Sequence, residues 1–196
     1  MLKKALVTTS MIALLSATLF ANGNGDGKRK GQGNRDRDVS QAQELTSLTS
    51  GTLTETQKDE LSYLIEEEKL ARDVYATLYD KWNSRIFSNI VKSEIKHMSA
   101  VEKLLNRYGV DAPLTLDTIG SFEDEKLQDL YDSLVEKGET SLTDAFEVGL
   151  EIEELDISDL TELLEEEIPS DFKTVYSNLL KGSYKHLNAF NRQLSR

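Results

Sequence analysis

From Leu61 to Phe190, apolar residues recur at three- and four-residue intervals, the period of helices that bury one face. A first helix opens with Thr54 and Gln57 at capping-box spacing and runs to about Trp82. Its stripe is Leu61, Leu64, Ala71, Tyr75, Leu78 and Trp82. A second, from about Ser84 to Tyr108, carries Phe87, Ile90, Val101, Leu104 and Tyr108 on one face, with Gly109 as its C-terminal stop. A connection containing Pro113 leads to a shorter helix from about Glu123 to Lys137, closed by Gly138. The third long helix starts near Ser141, with Asp144 in the capping position, and ends before Pro169. Its apolar series is Leu142, Phe146, Leu150, Ile157, Leu160 and Leu164. The fourth runs from Ser170 or Asp171 to the C-terminus with Phe172, Tyr176, Leu179 and Phe190 on its stripe. No segment alternates with a period of two, and both prolines fall between helices. The pattern predicts an all-α four-helix bundle with one extra short helix between the second and third long ones.

Polar residues interrupt each stripe once. Glu68 stands seven residues after Leu61 and seven before Tyr75. Glu94 and His97 are three apart and share one helix face. Glu153 falls within the third series, and Ser183 and His186 repeat the three-residue spacing in the fourth. His97 and His186 are the two histidines of the chain. Carboxylates and imidazoles in apolar stripes are costly unless something pairs with them. Interruptions near mid-helix bring them to one level of a bundle, where such donors suit Fe, Mn or Zn. The recurring di-metal arrangement takes a lone Glu from each of two helices, and a Glu and His three residues apart from each of the other two. This chain supplies Glu68, Glu94 with His97, Glu153 and His186. Ser183 stands where the second paired Glu is expected, leaving Glu147, Glu151, Glu154 or Asp156 as possible replacements. Tyr75 reads as packing, placed also to hydrogen-bond a ligand. Arg72 reads as a partner of Glu68 or Asp73.

The run Glu68, Ala71, Arg72, Tyr75 in EKLARDVY is similar to the first ligand helix of rubrerythrin-type ferritin-like proteins, and FSNIVKSEIKHM is similar to their second. Together with GLEIEELDISDL and GSYKHLNAF, the chain from about Leu61 to Leu194 resembles an uncharacterised ferritin-like family, domain of unknown function 2202. The resemblance implies a ferritin-like fold with a carboxylate-bridged di-iron or di-manganese centre. It implies a terminal ligand at Glu68, a bridging carboxylate at Glu94, imidazole ligands at His97 and His186, and a further carboxylate ligand at Glu153. Ser183 departs from the ferritin pattern. No activity comes with the family.

Composition narrows the setting. Lys3 and Lys4, an apolar run from Ala5 to Phe20 and then Ala21 read as an export signal over residues 1–21, with an uncleaved anchor as the alternative. Residues 22–52 are rich in Gly, Asn, Ser, Thr and Gln and read as a disordered spacer, its Lys28-Arg29-Lys30 triplet solvated. Residues 53–196 are the bundle domain. The chain has no cysteine, which excludes a lipoprotein anchor, disulfides and a rubredoxin-type iron site. The chain's net charge is −12, and from Glu55 onward 16 basic side chains stand against 31 acidic ones, so the helical part repels nucleic acid and anionic membrane and draws cations. The expectation is an exported protein, periplasmic or secreted, not inserted in a membrane once its signal is cleaved. It would hold a di-metal centre, iron before manganese, and act as a redox enzyme on O2 or H2O2. The alternatives are a metal-binding or storage module without turnover, and a non-catalytic helical interaction domain. Stripes wide enough to face two ways would also allow a homodimer.

Overall fold

The computed structural model describes residues 52–196, which form five α-helices and no strand. The expected export signal, and the expected spacer up to residue 51, lie outside the described residues. The helices are α1 (Glu55–Trp82), α2 (Arg85–Tyr108), α3 (Glu125–Gly138), α4 (Leu142–Glu165) and α5 (Ser170–Leu194). Helix α1 packs along α2, and α4 packs along α5. These two pairs meet through α2 against α5 and, more thinly, α1 against α4, while the short α3 touches α1 and α4. Among the described residues no helix is long and apolar enough to cross a membrane.

Local chemistry fixes the ends. The Gln57 backbone N–H donates to Thr54 Oγ1 (3.2 Å) and the Thr54 N–H to Gln57 Oε1 (3.0 Å), a complete capping box on α1. Gly109 ends α2 at φ 66°, a left-handed conformation that glycine adopts without steric cost. Ser141 Oγ accepts from the Asp144 N–H at 3.0 Å and starts α4. The expected stop at Gly138 is corrected: this glycine lies inside the last turn of α3, and Glu139 caps the helix in a right-handed conformation. Gly138 serves close packing instead. A Cβ there would sit 2.7 Å from Leu78 Cδ2, and its carbonyl accepts from Trp82 Nε1 at 2.8 Å.

Two stripes differ from expectation for one reason, that each helix has more than one neighbour. Residues Leu64 to Ala71 of α1 are all buried, because the α2–α3 connection covers the face opposite α2. On α4, Ala145, Val148, Gly149 and Ile152 face inward, whereas Leu142 is exposed and Leu150, Ile157 and Leu164 are only half-buried.

The apolar core falls into two clusters. One gathers Ala71, Tyr75, Phe87, Ile90, Phe146, Ile152 and Phe190. The other gathers Leu61, Ile65, Val101, Leu104, Leu160, Phe172 and Leu179. Along every long helix the break between them falls at the polar interruptions: Glu68 on α1, Glu94 and His97 on α2, Glu153 and Asp156 on α4, Ser183 and His186 on α5. A polar level thus divides the core at mid-height.

Candidate metal centre

All five residues singled out in the stripes meet at this level. His97 Nδ1 lies 2.8 Å from Glu94 Oε2 and 3.1 Å from Glu68 Oε2. His186 Nδ1 lies 2.9 Å from Glu94 Oε1 and 3.5 Å from Glu153 Oε2. The imidazoles stack with centroids 5.6 Å apart and planes 27° from parallel. Two sets of three ligand atoms result, Glu68–Glu94–His97 and Glu94–Glu153–His186, each gathered within 4.8 Å. Glu94 belongs to both, one oxygen turned to each imidazole. Glu68, Glu94 and Glu153 are essentially sealed from solvent, and the His97 and His186 side chains are 12% and 11% exposed.

Proximity satisfies only part of this set: His97 Nδ1 and Glu68 Oε2 are hydrogen-bonded to each other, but other atoms are not. Glu68 Oε1, Glu94 Oε1, Glu153 Oε2 and His186 Nδ1 are buried with no hydrogen-bond partner. Glu94 Oε1 and His186 Nδ1 are at bonding distance, but their directions do not meet. Buried polar atoms are rarely orphaned in folded proteins, and each orphan costs about 1–3 kcal/mol. Four orphans converging from four helices fit a cation among them, which would take oxygen and imidazole lone pairs together. The donor set, three carboxylates and two imidazoles, is the kind that holds Fe, Mn or Zn.

The electrostatics describe the same frustration in proton terms. Burial pushes the Glu68 carboxyl up to about 8, with the Glu94 charge adding and His97 opposing. Burial likewise lifts Glu153 to about 7, against His186. Burial would raise Glu94 too, but the two imidazoles outweigh it and hold that carboxyl down to about 2. Burial would lower the imidazoles, yet Glu68 and Glu94 carry His97 to about 10, and Glu153 and Glu94 carry His186 to about 9. Without an ion, the cluster balances its carboxylates by retaining protons.

Surrounding residues refine the picture. Tyr75 packs as expected, with ring centroids 6.1 Å from Phe87 and 5.4 Å from Phe190. Its hydroxyl also donates to Glu153 Oε1 at 2.7 Å, which fixes that carboxylate and leaves Oε2 facing His186. Ser183 is buried but bonds only its own helix, through Leu179 O at 3.3 Å. Of the four replacements considered for its missing carboxylate, Glu147, Glu151 and Glu154 are exposed, the first two facing Lys137 at 3.6 and 2.7 Å. Asp156 alone is buried, one turn beyond Glu153. Burial and the charges of Glu68, Glu153, Glu67 and Glu94 hold its carboxyl well above the usual range.

A second buried polar cluster escaped the stripe reading. Lys69 and Asp73, both sealed, form an ion pair at 2.5 Å, and Arg72 Nε donates to Asp73 Oδ1 at 2.7 Å. Gly120 N–H donates to Asp73 Oδ2 at 3.0 Å, and Arg72 reaches the Leu116 carbonyl at 2.8 Å. Glu66 accepts from the backbone N–H groups of Glu123 (2.7 Å) and Asp124 (3.0 Å). This set straps the 109–124 connection to the back of α1. Besides the expected pairing of Arg72, the i,i+4 spacing of Lys69 and Asp73 is the one signal for it in the sequence. Arg72 pairs with Asp73, one of its two expected partners.

The chain is similar to the uncharacterised protein MJ0754 of Methanocaldococcus jannaschii. It is 48% identical over 151 residues, which span 77% of this chain and 82% of that protein. The crystal structure of that hypothetical protein superposes with a TM-score of 0.73, covering 76% of this chain and 85% of that one. Residues 57–196 match the family described as an uncharacterized protein domain, DUF2202, and the chain belongs to that family.

Proposed function

We propose that this protein is an exported, ferritin-like four-helix bundle that binds two transition-metal ions, iron before manganese, and reduces O2 or H2O2 with them. The observation that carries the reading is Glu94, whose two oxygens each serve a separate set of carboxylate and imidazole donors. Glu68 and His97 would complete one position, Glu153 and His186 the other. Four buried carboxylates, counting Asp156, would neutralise two divalent ions when both imidazoles are neutral. Bound ferrous ions would supply the electrons, one from each of two ions, and solvent two protons, for every H2O2 reduced to two waters. An external donor would restore them, because no cysteine is present to hold a redox cluster. The chain's own part is to exclude bulk water, keep Glu153 oriented through Tyr75, and hold the imidazoles at Nδ1.

The test is anaerobic loading of the full chain with Fe(II), metal analysis after desalting, and then addition of oxidant. About two ions per chain are expected, with His97→Ala/His186→Ala as the control that loses them. Retention no greater than that control would sink the metal reading. Binding without oxidant consumption would leave a metal-binding module in place of an enzyme.

A further inference from the structure

Helix α4 carries carboxylates at 153, 156 and 159, three residues apart and therefore on one face, with roughly 5–6 Å between successive positions. Their exposure rises in that order: Glu153 is sealed, Asp156 is 6% exposed and Asp159 is half-buried. Glu67 faces this row from α1, 3% exposed, and its Oε1 has no hydrogen-bond partner. It is the one orphaned buried oxygen of the described residues that lies outside the five-residue centre. The contrast with Glu66, one position earlier, is instructive. Both Glu66 oxygens accept backbone N–H groups, as a structural buried carboxylate requires. Glu67 feels Asp159 most strongly, by charge and by a side-chain hydrogen bond, then the charges of Glu68 and Asp124, and Asp156 those of Glu68, Glu153, Glu67 and Glu94; none is a cation. Helices α1 and α4 meet thinly, and across that contact Glu67 interacts with Asp159 and Asp156, while Asp156 interacts in turn with Glu68, Glu94 and Glu153 of the two ligand sets.

We propose that the α1–α4 seam is a transit route for divalent cations, with Asp159, Glu67 and Asp156 as successive oxygen donors delivering the ion to the centre. The proposal rests on the metal-centre reading above. Oxygen donors spaced one turn apart let a hard cation exchange one carboxylate for the next without losing its ligands at once. The three do not gather within one coordination sphere, as the two ligand sets do. This fits passage, not residence.

The experiment loads the full chain with Co(II) in a stopped-flow instrument and follows the cobalt d–d absorption. Wild type is compared with Glu67→Gln, Asp159→Asn and, as a control of equal charge, Glu154→Gln on the exposed face of α4. Glu67→Gln and Asp159→Asn should load about tenfold more slowly, the scale on which a focused charge alters cation on-rates, yet reach the same final stoichiometry. Glu154→Gln should load like wild type. The half-buried Asp159 keeps the test valid if Glu67→Gln folds poorly, which thermal melts of each variant would reveal. Wild-type loading rates in both seam variants would overturn the route, as would equal slowing in Glu154→Gln. Loss of bound cobalt at saturation would also overturn it, by making these residues ligands. A wild type that binds no cobalt would instead remove the centre itself.

Discussion

Helix α1 carries two buried polar clusters on opposite faces, and their difference identifies the one suited to an ion. On the back face, Glu66, Lys69 and Asp73 are as deeply buried as any ligand candidate, yet each charge has its partner. The cluster brings its own cations and the backbone N–H groups of the connection. On the inner face, Glu68 joins Glu94 and Glu153, with oxygens that nothing in the chain satisfies. Burial alone does not separate structure from chemistry; satisfaction does. Evolution of a stable fold tends to complete such networks, so an incomplete one held by four helices points outward to a missing partner.

The largest expected effect breaks the satisfied cluster. Asp73→Ala strands the sealed Lys69 ammonium and frees the strap over residues 109–124, and should cost about 3–5 kcal/mol by urea unfolding. Glu68→Gln on the other face replaces a carboxyl that burial keeps largely protonated near neutrality, and should leave the metal-free protein about as stable as wild type. The same pair of variants separates the clusters by metal as well. At a hundredfold excess over its dissociation constant a bound ion adds about 2.7 kcal/mol. Asp73→Ala should keep that increment and Glu68→Gln should lose most of it. Equal losses of stability in both variants would erase the distinction.

A pH series sharpens the comparison, because burial and mutual charge shift the carboxyls and imidazoles of the inner cluster. His97 and His186, raised to about 10 and about 9 from an ordinary 6.5, favour the folded state when charged. That contribution is complete below pH 6.5 and is lost as pH rises through the folded values. Glu68 and Glu153, raised to about 8 and about 7 from 4.5, disfavour the folded state increasingly from pH 4.5 upward. Glu94, held at about 2, contributes fully above pH 4.5 and loses that contribution as pH falls from 4.5 through 2. The metal-free protein should therefore be most stable near pH 4.5 and weaken progressively towards pH 9. Metal binding displaces these protons, so ion affinity should rise over the same interval. Thermal melts with and without metal at pH 6 and pH 9 check both; a metal-free protein more stable at pH 9 would refute the assignment.

Much of this was legible in the sequence, for physical reasons that can be named. An amphipathic stripe announces its own interruptions, so Glu68, Glu94, His97, Glu153 and His186 stood out where period and polarity disagreed. Capping residues such as Thr54 and Ser141 act through bonds three residues away and need no tertiary context. The back face of α1 was not legible. Glu66, Lys69 and Asp73 look like a solvated face, and only the fold brings the 109–124 connection over them. Asp156 is one of four acidic candidates the sequence offers on α4 and does not stand out among them, since its burial depends on a helix rotation that apolar positions with several neighbours define loosely. Gly138 was misread because a glycine that permits close approach and one that ends a helix look alike until the neighbour, Leu78, is in place.

The smallest expected effect tests whether the inner cluster depends on placement as well as on composition. Gly182 lies one position before Ser183 on α5, and a Cβ there would sit 2.6 Å from both Cε1 and Nε2 of His97. That ring cannot simply swing aside, because its Nδ1 is held 2.8 Å from Glu94 and 3.1 Å from Glu68. Gly182→Ala should therefore displace the imidazole and weaken metal binding about tenfold, the lower end for groups that orient a ligand without touching the ion. Gly149 provides the contrast, since a Cβ there would meet the Phe190 ring at 2.5 Å, in the apolar cluster. Gly149→Ala should lower the melting temperature by overpacking, with ion affinity measured on the folded fraction little changed. Titration calorimetry and melts on the two alanines would show whether the change in affinity follows the imidazole or merely follows stability. If Gly182→Ala binds as tightly as wild type, His97 is not a ligand in the position described, and the division between a satisfied and an unsatisfied cluster loses its functional meaning.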